Sequence, residues 1–340
     1  MIKEGVLYDE LPGNKVKCNV CSHRCTIAES KVGICGTRKN IKGRINTLIY
    51  NTVSREAVDP IEKKPLYHFL PGTLSYSLGT IGCNFRCLHC QNWNISQVSL
   101  DEAYTREITP EEAVRRAVAS GSKSISWTYN EPAIWHEYTY DSAVLAKKAG
   151  LKTVYVTNGY ITPEALRRMA PYLDAYRVDI KSFSDEFYKK VCGARLAPVL
   201  ESTKLAKELG MHVETITLVI PGRNDSKEEL TQIAKWVKEN LGEDTPMHFT
   251  RFHPMHKMDH VVPTPLSTLE MAHGIAKKEG IRFVYLGNVG GHKYENTYCP
   301  WCDALLIERL IDSEGYRVGE VRVKDGKCAR CGEGVPIVGD

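Results

Sequence analysis

Residues 79–93 read Gly79-Thr80-Ile81-Gly82-Cys83-Asn84-Phe85-Arg86-Cys87-Leu88-His89-Cys90-Gln91-Asn92-Trp93. Three cysteines stand at C-x3-C-x2-C spacing directly after a strand-like run, Leu74–Gly79. Three thiolates can hold three irons of a 4Fe–4S cluster and leave the fourth iron open. The competing reading is a zinc site completed by His89 or a distant ligand. Zinc generally takes paired C-x2-C units that close a tetrahedron, and no fourth ligand is evident beside Cys83, Cys87 and Cys90.

Outward from this stretch, short β-branched or aromatic runs alternate with longer amphipathic ones. The expected strands are Leu74–Gly79, Ser124–Tyr129, Thr153–Thr157, Ala175–Ile180, Val213–Ile220, Met247–Phe252 and Ile281–Leu286. Thr109 with Glu112, Ser226 with Glu229 and Ser267 with Glu270 have capping-box spacing at helix starts. Gly121, Gly150, Gly210 and Gly280 stand where helices should end. Repeated strand–helix–strand units mean parallel pairing. The sheet is then an open doubly wound one or a full or partial (β/α) barrel, and periodicity does not separate these. In both, ligands bind at the C-terminal ends of the strands.

The chain has 340 residues, 42% of them hydrophobic and 25% charged, an ordinary globular profile. Lys and Arg number 45 against 41 Asp and Glu, a net charge of +4. So balanced a surface argues against nucleic acid as a partner. The longest uncharged stretch is broken by Pro71, Gly72, Gly79 and Gly82, so no membrane span is expected. Charges at Lys3, Glu4, Asp9 and Glu10 speak against a signal peptide, and a cytoplasmic location is expected.

Of twelve cysteines, eleven fall in three clusters, which says metal rather than disulfide. Cys18, Cys21, Cys25 and Cys35 form a C-x2-C-x3-C-x9-C group. It suits zinc or a second iron–sulfur cluster, with no barrel strand immediately before it to make it the catalytic one. Cys299, Cys302, Cys328 and Cys331 form C-x2-C-x25-C-x2-C, similar to a zinc ribbon. The expected organisation is a Cys-rich segment 1–60, a barrel 68–290 and a ribbon-like segment 291–340. Cys192 stands alone and reads as a small packed residue. His248, His253, His256 and His260 crowd the region of the sixth strand, where solvent exposure is the simplest expectation.

The trio at the end of strand one resembles that of the radical S-adenosylmethionine superfamily, whose fold is a parallel (β/α) partial barrel. Tyr129-Asn130-Glu131-Pro132 occupies the place of that superfamily's Gly-Gly-Glu-Pro turn, with both glycines replaced. By this resemblance Glu131, with Asn130, meets the methionine ammonium. Thr157-Asn158-Gly159 matches a segment near the ribose, so Thr157 and Asn158 are cofactor contacts. Asp179-Ile180-Lys181 is similar to the Asp-x-Lys pair of pyruvate formate-lyase activating enzymes, which have an Asp where this chain has Val156. That similarity makes Asp179 and Lys181 the catalytic candidates, with Lys181 on the cofactor carboxylate. Ile220-Pro221-Gly222 is like their Val-Pro-Gly turn, and Phe252-His253-Pro254-Met255-His256 stands where they carry a histidine, giving His253 as a cofactor contact.

Longer runs resemble the AmmeMemoRadiSam system radical enzymes, relatives of the activating enzymes: Pro60–Gly72, Cys90–Trp93, Thr128–Pro132 and Glu295–Pro300. The resemblance implies a 4Fe–4S cluster and S-adenosylmethionine, cleaved reductively to a 5′-deoxyadenosyl radical. It also implies a low-potential electron donor such as a ferredoxin or flavodoxin, and a substrate that is a protein. Activation of a glycyl-radical enzyme is the narrower alternative. A zinc-ribbon protein binding a partner is the alternative of another class.

Overall fold

Seven parallel strands pair in the order in which they follow one another along the chain. They are β1 (Leu74–Gly79), β2 (Ser124–Trp127), β3 (Lys152–Thr157), β4 (Ala175–Asp179), β5 (His212–Val219), β6 (Met247–Arg251) and β7 (Val284–Gly287). The structure, a computed structural model, describes residues 1–312 and 315–339; residues 313, 314 and 340 of the C-terminal segment lie outside them. A doubly wound sheet needs a point where strand order reverses. None exists here, which decides for the barrel. Among the described residues β7 pairs only with β6, so the barrel is open on that side. At the other edge Arg55–Pro60 runs antiparallel to β1 and extends the sheet to eight strands.

Among the described residues six helices of seven residues or more cover the outside: α1 (Pro110–Ala119), α2 (His136–Lys148), α3 (Pro163–Met169), α4 (Leu196–Glu208), α5 (Lys227–Leu241) and α6 (Leu266–Lys278). Thr109 and Ser226 accept the expected capping bonds from Glu112 and Glu229. Ser267 does not cap: α6 starts two residues earlier than a Ser267 cap would set it, after Pro265, whose fixed φ sets the turn.

Each strand presents alternate residues to opposite faces. The outward residues Tyr76, Leu78, Ile125, Trp127, Tyr155, Tyr176 and Val178 are large and buried in the main core under the helices. The other set is small or polar yet fully buried, including Ser75, Ser77, Ser124, Ser126, Glu214 and His248. His248 is therefore a strand residue of the interior, not a loop histidine in solvent. At the N-terminal ends of the strands, residues 61–70 plug the barrel. Ile61, Leu66, Phe69 and Leu70 pack on Val154 and Ala175. The Tyr67 and His68 amides donate to Glu214 at 3.0 and 2.8 Å, and His212 and His248 bond its carboxylate at 2.9 and 2.7 Å. These contacts hold Glu214 well below the usual carboxylate range, and it stays ionised.

The N-terminal segment forms two three-stranded sheets: Tyr8–Leu11 with Lys15–Cys18 and Thr26–Ile27, and Lys3–Glu4 with Arg44–Thr47 and Arg38–Ile41. Arg38 anchors it to α2 by a bidentate pair with Glu137 at 2.8 and 2.9 Å, both side chains buried. The tail forms a hairpin, Leu305–Asp312 with Gly315–Val321, docked below the plug. Arg309 lies 4.0 Å over the Tyr67 ring and donates to its carbonyl at 2.7 Å. The Cys299 and Cys331 sulfurs lie 3.6 Å apart, those of Cys302 and Cys328 3.8 Å, and all four lie within 4.8 Å of one another. A tetrahedron with metal–sulfur bonds of about 2.3 Å has sulfur–sulfur edges of about 3.8 Å, so this set fits a single ion such as zinc.

Candidate active site

The C-terminal ends of the strands open into a cavity of about 800 Å³, within the range of roughly 300–1,000 Å³ usual for cofactor sites. Cys83, Cys87 and Cys90 line it, carried by the irregular loop after β1. That loop is held from several sides. The Phe85 amide donates to the Cys83 sulfur at 3.3 Å, and Ser96 Oγ lies 3.1 Å from the Cys90 sulfur. The Arg86 and Leu88 amides bond the carbonyls of Cys192 and Val191 at 2.8 and 2.9 Å. Those two residues end a π-turn, Tyr188–Cys192, and the buried Cys192 thiol lies against that of Cys87. Cys192 is thus packed under the trio.

Opposite the thiols stand the polar residues from the other strand ends. Glu131, after β2, is 1% exposed. It accepts from Ala133 N at 2.9 Å, Thr157 Oγ1 at 2.8 Å and Asn158 N at 2.7 Å. Burial nevertheless pushes its carboxyl up to about 7, because three donors do not replace full hydration. Asn158 Nδ2 in turn bonds Asn84 Oδ1 at 2.8 Å and reaches the Cys83 sulfur at 3.8 Å. Asn130 bridges the loops, accepting from Thr80 N at 3.1 Å and donating to Gly82 O at 2.7 Å.

Strand β4 contributes Arg177 and Asp179 at alternate positions, followed by Lys181. Asp179 pairs with Arg177 on one oxygen and with Lys181 Nζ at 3.0 Å on the other. The two cations pull its carboxyl down to about 2 against the cost of burial. The three side chains together carry one surplus positive charge into the cavity. Across from it, Glu131 is a buried carboxylate with no cationic partner among its hydrogen bonds.

Asn130, Glu131, Thr157, Asn158, Asp179 and Lys181 therefore all line one cavity with the three thiols. His253 does not line it and is exposed, because the chain turns outward after Arg251. Its neighbour His256 is half-buried and stacks on Trp93 at 5.3 Å beyond the cysteine loop. Among the lining residues that escaped the sequence reading are Arg177 and the pair Asp59 and Lys64. Arg177 carried a readable signal: a charged residue at the same parity as Asp179 inside an otherwise apolar strand. The wall formed by Asp59 and Lys64, paired at 2.7 Å, carried none.

Residues 78–237 match the Radical SAM superfamily. A protein of Methanocaldococcus jannaschii, MJ0808, is 48% identical over 337 residues, 99% of this chain and 100% of that one. The chain belongs to the radical SAM superfamily. Pyruvate formate-lyase 1-activating enzyme of Escherichia coli K12 is 22% identical over 60% of this chain and 89% of its own length. The Streptococcus suis protein SuiB, solved with S-adenosylmethionine, shares the fold at a TM-score of 0.50 and 14% identity, over 68% of this chain and 53% of that one. Membership makes this protein a radical SAM enzyme and implies a 4Fe–4S cluster and S-adenosylmethionine as its cofactors. The residues suit them: three thiols from one loop lining the cavity, a carboxylate awaiting a cation and a surplus cation awaiting an anion. No described helix is long and apolar enough to cross a membrane.

Proposed function

We propose that Cys83, Cys87 and Cys90 bind a 4Fe–4S cluster whose open iron receives the amino and carboxylate groups of S-adenosylmethionine. When bound, the pair supplies reductive cleavage of the sulfonium to a 5′-deoxyadenosyl radical, which takes hydrogen from a protein segment. The carrying observation is charge complementarity within one cavity. Glu131 faces the site as a lone carboxylate and the Arg177–Asp179–Lys181 row as a net cation, the two signs that an amino-acid zwitterion requires. Glu131 holds the ammonium and, through Thr157 and Asn158, fixes the loop that meets the ribose. Lys181 holds the carboxylate, while Asp179 and Arg177 set its position. Tyr188 supports this from below, its hydroxyl accepting from the Lys181 amide at 3.0 Å. The plug packs across the N-terminal ends of the strands, and the serines inside the barrel are fully buried, so that end is filled by protein.

Relatives named as activating enzymes, which act on a polypeptide, support a protein substrate. So does the mouth of the cavity, where Trp93 is exposed beside Gln91 and Asn92 and offers a contact surface for a chain segment. Activation of a glycyl-radical enzyme is one case of this reading. The test is anaerobic reconstitution followed by electron paramagnetic resonance of the reduced protein with and without S-adenosylmethionine. The signal should change on addition, and Cys87→Ala should abolish the change. A response that survives in Cys87→Ala places the cluster elsewhere and refutes the assignment.

A further inference from the structure

Cys18, Cys21, Cys25 and Cys35 take no part in the chemistry above, yet all four surround one small cavity together with Arg38 and Ile134. The amides of Val20, His23 and Ile34 point at the sulfurs of Cys18, Cys21 and Cys25, and the Arg38 guanidinium reaches Cys18. The four sulfurs and these donors are thus gathered round one void, a geometry that a metal group bound by several cysteines would use.

Spacing tells which metal. In the tail the four sulfurs close to the edges of a single-ion tetrahedron, as shown above. Among the cysteine groups of the described residues, only the tail draws three or more sulfurs within 4.8 Å of one another. The N-terminal four stay wider, as the Cys83, Cys87 and Cys90 trio does, and a void with room for about one water-sized sphere remains between them. A zinc tetrahedron with bonds of about 2.3 Å has no such void. A cluster does, because its irons and sulfides fill the centre and hold the cysteine sulfurs outward.

Placement gives the role. The carbonyl of Cys35 lies so close to Gly82, next to Cys83, that a Cβ there would stand 2.7 Å from it. His23 Nε2 bonds the Asn84 carbonyl at 2.7 Å, and Arg86 bridges the carbonyls of Ile34 and Cys83. The two cysteine loops are therefore in direct contact. We infer that Cys18, Cys21, Cys25 and Cys35 hold a second 4Fe–4S cluster, through which electrons enter the radical site. A low-potential one-electron donor, of the ferredoxin or flavodoxin class, reduces this cluster by one electron. That electron passes to the trio's cluster, and the second cluster returns to its oxidised state. The relay rests on the proposed function; the identity of the second metal group does not.

The experiment uses the full chain, purified and reconstituted anaerobically. About eight irons, eight sulfides and one zinc per chain are expected. Simultaneous Cys83→Ala, Cys87→Ala and Cys90→Ala should halve the iron and leave a reducible cluster signal indifferent to S-adenosylmethionine. In the doubly reduced wild type the two clusters should broaden each other's resonance, and that broadening should vanish in the triple variant. About four irons with two zincs in the wild type, or a triple variant without iron, would overturn the second cluster. Eight irons without mutual broadening would overturn the relay. A triple variant that still responds to S-adenosylmethionine would instead refute the proposed function, so the two failures are distinguishable.

Discussion

Replacing Glu131 by Gln separates binding from stability in a way that the geometry makes quantitative. The folded carboxyl lies at about 7 against an ordinary 4.5, so ionising it inside the protein costs 2.5 × 1.36, or about 3 kcal/mol. The sign follows directly. Because the folded state holds the proton more tightly, its stability from this group is full below about 4.5 and falls as pH rises through about 7. The glutamine side chain carries no charge, so the substitution removes that penalty at pH 8. Against this, its amide group must face one of the three donors, and the Asn158 amide at 2.7 Å is the one left unpaired, a loss of about 1–3 kcal/mol. The two terms nearly cancel, and apo stability at pH 8 should change by less than about 1–2 kcal/mol. Binding should behave differently. Gln cannot form the charge-assisted bond to an ammonium, worth about 1.5–3 kcal/mol, so S-adenosylmethionine should bind about 10- to 150-fold more weakly. Calorimetric titration of the reconstituted protein, beside urea unfolding of the apoprotein, measures both. Unchanged affinity would refute the role given to Glu131; a large stability loss with proportionate loss of binding would make it a mere helix cap.

Three further perturbations test the frame. Glu137 is held at about 2 by Arg38, so its contribution of about 3 kcal/mol is present above 4.5 and lost as pH falls toward 2; Glu137→Gln should flatten acid unfolding in that window and cost about 3–5 kcal/mol at pH 7, read by urea titration. Glu214→Ala leaves the Tyr67 and His68 amides without their acceptor and should destabilise the barrel floor by about 3–5 kcal/mol, read by the thermal midpoint, with hydrogen exchange rising in residues 61–70. Removing the tail metal with a chelator, or Cys299→Ser with Cys302→Ser, should raise exchange across residues 297–330 while the response of the radical cluster to S-adenosylmethionine persists; loss of that response in a folded protein would couple the tail to the site.

The strands and the cysteine trio were legible because their signals are local. A buried parallel strand is a short apolar run, and C-x3-C-x2-C keeps its meaning wherever the chain goes. The choice between barrel and doubly wound sheet was not legible, because strand order is a long-range property on which periodicity is silent. The position of His253 was not legible for a related reason. Its segment matched by position in the chain, but the turn after Arg251 carries it into solvent and puts the half-buried His256 on Trp93 instead. The run Pro60–Gly72 is the opposite case. It was recognisable by resemblance alone, and its work in plugging the barrel needed partners at Glu214, Arg309 and Val338, which sequence distance conceals.

Tyr129 shows what replaces a glycine when the backbone shape must stay. It takes φ +71°, the left-handed conformation that glycine adopts freely and that costs other residues of order 1–3 kcal/mol. Several contacts offset the cost. Asn92 Nδ2 donates to its carbonyl at 2.8 Å, its hydroxyl bonds Asp59 at 3.1 Å, and the Lys64 ammonium lies 5.5 Å from its ring. Gly79 at the end of β1 makes room, since a Cβ there would stand 2.9 Å from the ring. The turn before Glu131 therefore keeps its path while gaining a strut to Asp59 and Lys64, on the strand and turn that lead into the barrel plug. A side chain that repays its strain through the cavity wall ties the position of Glu131 to that wall. The chain's own contacts at Tyr129 thus hold the turn before Glu131.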